Sequence, residues 1–485
     1  MTDTTLLRTA LGALLGLSLI GCTSGPDFQA PALPPQAAAA FSTQLPGTDA
    51  AHEPPAEWWK LYRDAALDHL IEKALAANTD LREAEANLMR AQAIFGASRS
   101  ARLPATELSA GASYGRDQAS WPGPEQAPKQ WSYSGGLGIA YEVDLFGRVR
   151  RDIEAARYNT EAVAASRDAV RLAVVAETTR AYVDSCALGQ ATEVATRSVE
   201  LTRHSLDLIR QRQGSGAATQ LDVERAATSH AQAQASLAPI VAQRQNRLLE
   251  LAALTGGTPA DIPAVAASCN QLPTLAAELP VGDGAQLLRR RPDVRASERQ
   301  LAADTARIGV AVANLYPNIT LGASANYLRN DSLQGDRSWS FGLGPLITWN
   351  FPNQLAARAQ VRQAEAQSAA ALARFDGTVL TALKEVEQAL ASYAATLQER
   401  DALQRARDYA GNAFTLAQAR YQAGAIGYLD VLLSQTVLVN TEAALIDAGQ
   451  RLGSQRVSLF LALGGGWDST EDPAPEARGT LALSF

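Results

Sequence analysis

Leu108-Ser109-Ala110-Gly111-Ala112-Ser113-Tyr114 recurs as Leu321-Gly322-Ala323-Ser324-Ala325-Asn326-Tyr327, and each copy follows a proline by four residues, Pro104 or Pro317. Trp131-Ser132-Tyr133 recurs as Trp339-Ser340-Phe341, and Gly216 with Leu221-Asp222-Val223 recurs as Gly424 with Leu429-Asp430-Val431. The copies lie roughly 210 residues apart, far beyond the period of a solenoid. The chain is a duplicated half, and each half carries a pair of strands followed by long helices.

Alternation reads the strands. Thr106, Leu108, Ala110, Ala112 and Tyr114 share one face, opposite Glu107, Ser109, Gly111, Ser113 and Gly115. The return strand sets Trp131, Tyr133, Leu137, Ile139, Tyr141 and Val143 against Ser132, Ser134, Gly136, Gly138, Glu142 and Asp144. In the second copy Ile319, Leu321, Ala323, Ala325 and Tyr327 share a face, followed by Trp339, Phe341, Leu343, Ile347, Trp349 and Phe351. Segments of about ten residues, apolar on one side with aromatics at both ends, form the transmembrane barrel pattern. A soluble half-buried sheet alternates in the same way. The Ser, Gly and Asn of the other face suit a water-filled lumen better than a charged surface. Four strands cannot close alone, and hydrocarbon does not tolerate free sheet edges. Two, three or four copies must share one barrel.

After each strand pair the composition turns to Ala, Gln, Glu, Arg and Leu. Arg148 to Gln213 contains no Pro and one Gly; Leu355 to Ala423 contains no Pro and two. Each stretch could run roughly 100 Å as one helix. Leu372, Val379, Val386 and Tyr393 recur every seven residues beside Leu383, Leu390 and Leu397, as in a coiled-coil seam. Val194, Leu201 and Leu208 form one stripe on the earlier helix, and Val199 with Leu206 a second, so that helix expects two neighbours. Gly216 and Gly424 suit the left-handed residue that closes a helix, and Thr219 suits the N-cap of the returning one.

The N-terminus reads as an address. Leu11 to Ile20 is apolar but too short to span a bilayer. It ends at Leu19-Ile20-Gly21-Cys22, which resembles a lipobox, with Thr23 resembling the residue that sends lipoproteins to the outer membrane. An ordinary signal peptide with a chance cysteine is the alternative. The expected organisation is a signal peptide (1–21), a lipidated tether (22–56) marked by Pro26, Pro31, Pro34 and Pro35, a first repeat (57–275), a second repeat (276–470) and a tail (471–485). With Cys22 lipidated, Cys186 and Cys269 remain of the three cysteines. An oxidising compartment favours pairing them; two buried thiols are the alternative. Charge is mildly acidic, 50 Asp and Glu against 43 Lys and Arg, with no basic block to meet nucleic acid.

These features together resemble the TolC-type outer-membrane efflux proteins, closest to the lipoprotein branch called NodT-like. The residues that carry the likeness are Trp58-Trp59-Lys60-Leu61-Tyr62, Asn78-Thr79-Asp80-Leu81, Tyr141 to Arg148, Gly282-Asp283 with Leu287 to Val294, and Leu463 to Trp467. The resemblance implies a fold that is all-α dominated with a membrane β-barrel. A homotrimer would build a twelve-strand barrel and a twelve-helix periplasmic tunnel. It also implies passive conduction for an inner-membrane transporter through a periplasmic adaptor, with no cofactor beyond the lipid on Cys22. The cargo would be drugs or other small toxic molecules, with type I protein secretion or metal efflux as alternatives. Adaptor-docking tips map to Arg212, Gly216, Asp222, Val223 and Ala226, and to Arg420, Gly424, Asp430, Val431 and Ser434. In the TolC-type pattern two aspartate rings narrow the periplasmic mouth; Asp430 falls on the first and Leu433 on the second, leaving half of an acidic gate.

Other function classes fare worse. The four histidines (His52, His69, His204, His230) lack ligand spacing or a partner carboxylate motif, and no phosphate loop follows a strand. A coiled-coil scaffold would explain the helices but not the strands or the lipobox.

Overall fold

Pro104 and Pro317 stand just before strands, and Gly216 and Gly424 just past long helices, as expected. In the computed structural model the described residues are 24–33, 35–43, 48–49, 52–116, 124–275 and 279–465. The segment read as a signal peptide, Cys22, Gly466-Trp467 and the segment read as a tail lie outside them. In chain order the elements are β1 (Thr48–Asp49), α1 (Ala65–Ala77), α2 (Thr79–Ser100), β2 (Ala105–Gly115), β3 (Gln130–Glu142), α3 (Arg148–Gly214) and α4 (Gln220–Leu254). They continue as α5 (Ala264–Ala267), β4 (Leu279–Pro280), α6 (Gly284–Arg290), α7 (Pro292–Ala313), β5 (Asn318–Arg329), β6 (Trp339–Thr348), α8 (Leu355–Gln422) and α9 (Tyr428–Ala462). The chain divides into two units, one of Met1–Pro31, Asn87–Ala164 and Ala296–Asp376, the other of Ala32–Ala86, Ala165–Arg295 and Gly377–Phe485.

The first unit holds an antiparallel sheet of order β2-β3-β5-β6. Its register aligns like with like. Leu108 faces Leu137, Leu137 faces Ala325, and Ala325 faces Phe341, while one residue away Glu107, Gly138, Ser324 and Gly342 form the polar row. Aromatic pairs close the apolar face at one end: Tyr114 on Trp131 and Tyr327 on Trp339, with centroids 5.6 and 5.0 Å apart. A one-residue slip would exchange the faces. In the single chain that face is bare: Leu108 is 83%, Leu343 86% and Phe341 91% exposed. Val143, Trp349 and Phe351, read as strand residues, lie just past the ends of β3 and β6. Trp349 instead stacks on Phe351 at 4.6 Å and its Nε1 donates to the Leu315 carbonyl at 3.0 Å. At the β3–α3 junction Gly147 takes φ +77, and the Asp144 carboxylate accepts from the Val149 and Arg150 amides.

The second unit is built around the opening motif. Trp58, Trp59 and Tyr62 are buried with Leu67, Leu70 and Ile71 of α1, and Trp58 stacks on Phe460 of α9 at 4.6 Å. Asp64 caps α1 by accepting from the Ala66 and Leu67 amides, and Asn78 caps α2 through the Asp80 and Leu81 amides. The Arg-Pro-Asp motif gains a reason. Arg291 is buried, reaches Asp293 at 2.6 Å and Glu385 at 2.8 Å, and donates to the Ala462 carbonyl at the end of α9. Cys186 and Cys269 are joined in a disulfide. Arg244 donates to the Ala267 and Cys269 carbonyls and so steadies the bridged loop.

Of the heptad residues, Val379, Val386, Leu390 and Tyr393 are buried; Leu383 and Leu397 pack at the margins. Leu372 departs from the expectation and is exposed. On α3 the second stripe is the one covered within the chain, since Leu206 is buried with Ile209, whereas Leu208 of the first stripe is exposed. The stretch read as a tether is bound at several points. The Ser42 and Thr43 amides donate to Glu387 at 2.6 and 3.2 Å, Val281 donates to Asp49, and β1 pairs with β4 in parallel.

Candidate functional site: the hairpin tips

Within the second unit α3 turns back into α4 and α8 into α9. At each turn the chain closes with the same bonds: Gly216 and Ala217 amides to the Gln213 and Arg212 carbonyls, Gly424 and Ala425 amides to the Tyr421 and Arg420 carbonyls. This is the Schellman arrangement, and both glycines sit at positive φ, +79 and +74. Neither would meet another atom within 4 Å if given a Cβ, so both point into open space.

The tips fuse into one knob. Leu206 and Ile209 of α3, Val223 and Ala226 of α4, and Tyr428 and Val431 of α9 form a single buried cluster, with Phe414 and Tyr421 of α8 against it. Val223, Ala226 and Val431, placed in the docking set by resemblance, are thus internal; their side chains shape the knob. Arg212 lies over the Tyr421 ring at 4.4 Å. Gly216, Arg420 and Gly424 are exposed. Ser434 Oγ donates back to the Asp430 carbonyl at 2.8 Å.

The two repeats diverge where the returning helices start. Thr219 opens α4 with a capping box: its Oγ1 accepts from the Asp222 amide, while Asp222 Oδ2 accepts from the Thr219 amide and hydroxyl at 3.1 and 2.7 Å. The Thr219 hydroxyl and then its amide hold the Asp222 carboxyl below the usual carboxylate range. Gly427 stands at the matching position of α9 and has no side chain to cap with. Among the described residues nothing hydrogen-bonds to the Asp430 carboxylate, which is exposed in the first turn of α9. Leu433 and Val437, one and two turns further along, are exposed beside it, at 57% and 55%. The Asp222 carboxylate is engaged in its own turn, whereas the Asp430 carboxylate is left exposed.

The residues that sequence reasoning missed are Tyr421, Tyr428 and Gln435. Tyr421 meets Tyr428 with centroids 5.9 Å apart, whereas the equivalent pair in the first tip is Gln213 donating to Gln220 at 2.7 Å. Gln435 is buried and accepts from Ser205 Oγ at 3.2 Å, joining the second hairpin to the first. The signal was present: these are positions where the second copy departs from the first. Among the described residues no group of three or more His, Cys, Asp or Glu could hold a metal.

The model of the outer membrane efflux protein family matches residues 70–257 and 284–465, two stretches that follow the duplication. The chain belongs to the outer membrane efflux protein family. It is 32% identical over 460 residues to the outer membrane protein OprJ of Pseudomonas aeruginosa, covering 94% of this chain and 95% of that one. It is also 32% identical over 487 residues to the antibiotic efflux pump outer membrane protein ArpC of Pseudomonas putida, covering 96% of each. The solved outer-membrane channel OprN superposes with a TM-score of 0.84 at 32% identity, over 92% of this chain and all of that chain. An outer-membrane efflux channel with the TolC-like fold is therefore what the strands and hairpins build. The knob at the hairpin tips is its candidate mouth.

Proposed function

We propose that three copies of this efflux channel close one twelve-strand barrel. Their helical hairpins form a tunnel that passively conducts antibiotics or other small toxic molecules, with no catalytic step. The observation that carries this is the sheet. Among the described residues its edges β2 and β6 pair with no further strand, and its apolar face is bare, which a membrane accepts only in a closed barrel. The tips supply the surface for a periplasmic adaptor, which links the tunnel to an inner-membrane transporter. The free carboxylate of Asp430, followed by Leu433, rings the mouth. Cys22 carries covalent lipid, outer-membrane lipid surrounds the barrel, and nucleic acid plays no part.

Native mass spectrometry of protein extracted from outer membranes tests the assembly: three chains per particle are expected, and monomers alone would overturn it. Susceptibility of a deletion strain, with and without the gene restored, reads the cargo. Restored tolerance to antibiotics is the expected result; restored tolerance to metal ions alone, or restored secretion of a polypeptide alone, would reassign it.

A further inference from the structure

The polar face of the four-stranded sheet carries almost no charge. Within β2, β3, β5 and β6 the only ionic residues are Glu107, Glu142 and Arg329, and β6 has none. Glu142 is matched by Arg148, whose Nε donates to it at 2.7 Å. Arg329 shares the parity of Tyr327 and so lies on the apolar face. It also pairs with Tyr133, five residues along β3 from Gly138, which places it about 17 Å away along the strand. That leaves Glu107 alone on the polar face. It is exposed, and among the described residues no hydrogen bond or ion pair engages its carboxylate. Its row holds Gly138, Ser324 and Gly342, all small. A Cβ on Gly138 would meet only the Glu107 carbonyl oxygen within 4 Å, at 3.9 Å. No side chain of that row overtops the carboxylate.

We propose that Glu107 is a specificity-determining residue: its copies form a ring of carboxylates that makes the barrel lumen favour cationic over anionic solutes. This rests on the closed trimeric barrel. In that barrel each β2 edge meets a neighbour's β6, and since β6 holds no ionic residue, no register of the pairing brings a cation from β6 to Glu107. Twelve strands about 4.8 Å apart, tilted about 40°, close at a backbone radius of about 12 Å. A glutamate side chain reaches about 5 Å inward, so the carboxylates stand about 7 Å from the axis, inside the Debye length of about 10 Å at about 0.1 M salt. Their field therefore spans the lumen there and collapses near about 1 M salt, where that length is about 3 Å. A carboxylate ring in a wall of Gly, Ser and Thr selects by charge. The filter is separate from Asp430, and organic cations are the cargo class it admits best.

The test puts a thiol on the same face of the full-length protein. Ser109 is exposed two residues along β2, about 7 Å from Glu107. Ser109→Cys offers a thiol there, Cys186 and Cys269 being bridged, and the parent protein serves as the blank. Its rates of modification by a cationic trimethylammonium-ethyl and an anionic sulfonato-ethyl methanethiosulfonate are compared in detergent. Their ratio cancels any change in the thiol itself. At about 0.1 M salt the cation-to-anion ratio should exceed that of free cysteine. It should fall on the order of fivefold in Glu107→Gln, and also with Glu107 in place at about 1 M salt. Glu107→Lys should invert the preference. A ratio that neither the Glu107 variants nor salt alters, in trimers confirmed by native mass spectrometry, overturns the filter. If neither reagent reaches the thiol of Ser109→Cys, the water-filled lumen fails and the filter with it, a result distinct from a reactive but charge-blind thiol.

Discussion

Replacing Gly424 separates the geometry of the tip from its use. The backbone there has φ +74, and a Cβ would meet nothing within 4 Å. Gly424→Ala therefore costs backbone strain and no clash, about 1–2 kcal/mol. That strain falls on a turn of exposed residues, so it should appear as local opening. Amide exchange across the α8–α9 tip should accelerate about 5- to 30-fold, the Boltzmann equivalent of that strain. Gly424→Asn tolerates the left-handed region better and should leave exchange nearer wild type. Hydrogen–deuterium exchange on detergent-extracted protein reads the strain, and efflux in whole cells reads the docking. If a partner needs bare backbone at the tip, Asn and Trp both lower efflux while trimer abundance holds. Unchanged exchange in Gly424→Ala refutes the strain argument, and wild-type efflux in Gly424→Trp refutes docking at this glycine.

Asp430→Ala breaks no hydrogen bond among the described residues, so thermal stability should hold while single-channel cation preference falls; unchanged selectivity would make Asp430 an ordinary tip residue. Asp222 has a carboxyl pKa depressed in the fold, so its contribution is complete above the unfolded value and is lost as pH falls through the lowered one. Acidification below about pH 4 should fray the start of α4, seen as faster exchange there, and full acid sensitivity persisting in Asp222→Asn would count against the capping box. Changing Cys186 and Cys269 together to Ala removes a cross-link of sequence separation 83, worth about 4.5 kcal/mol in the chain-entropy model. An unaltered melting temperature would show the bridge to be dispensable.

What was legible in the sequence was mostly local. Thr219, Gly216 and Gly424 act within a few residues of themselves, and the strand faces follow from a period of two. The repeat, however, suggested that Asp222 and Asp430 are equivalents. They are not, because Thr219 and Gly427 differ one helical turn before them; the difference was on the page but its consequence needs the cap geometry. The long-range contacts were out of reach. No pattern announces that Arg151 holds Ser24 and Gly25, or that Glu387 holds Ser42 and Thr43, so a bound segment read as a tether. Leu372 fits the heptad by spacing yet stays exposed, since periodicity says which face is apolar and not whether this chain covers it.

The order β2-β3-β5-β6 constrains how the protein can be made. Leu137 of β3 pairs with Ala325 of β5, and the whole first helical hairpin is synthesised between them. Such a pairing closes a very long loop before it gains any contact, which makes it slow. The β2–β3 hairpin, finished early, is marginal by itself in water. That hairpin is therefore complete in sequence long before β5 and β6, its partners in the sheet, have been made. The glycines of its polar face, Gly111, Gly136 and Gly138, give its strands little side-chain packing of their own, so the hairpin gains most of its order only when β5 pairs with β3.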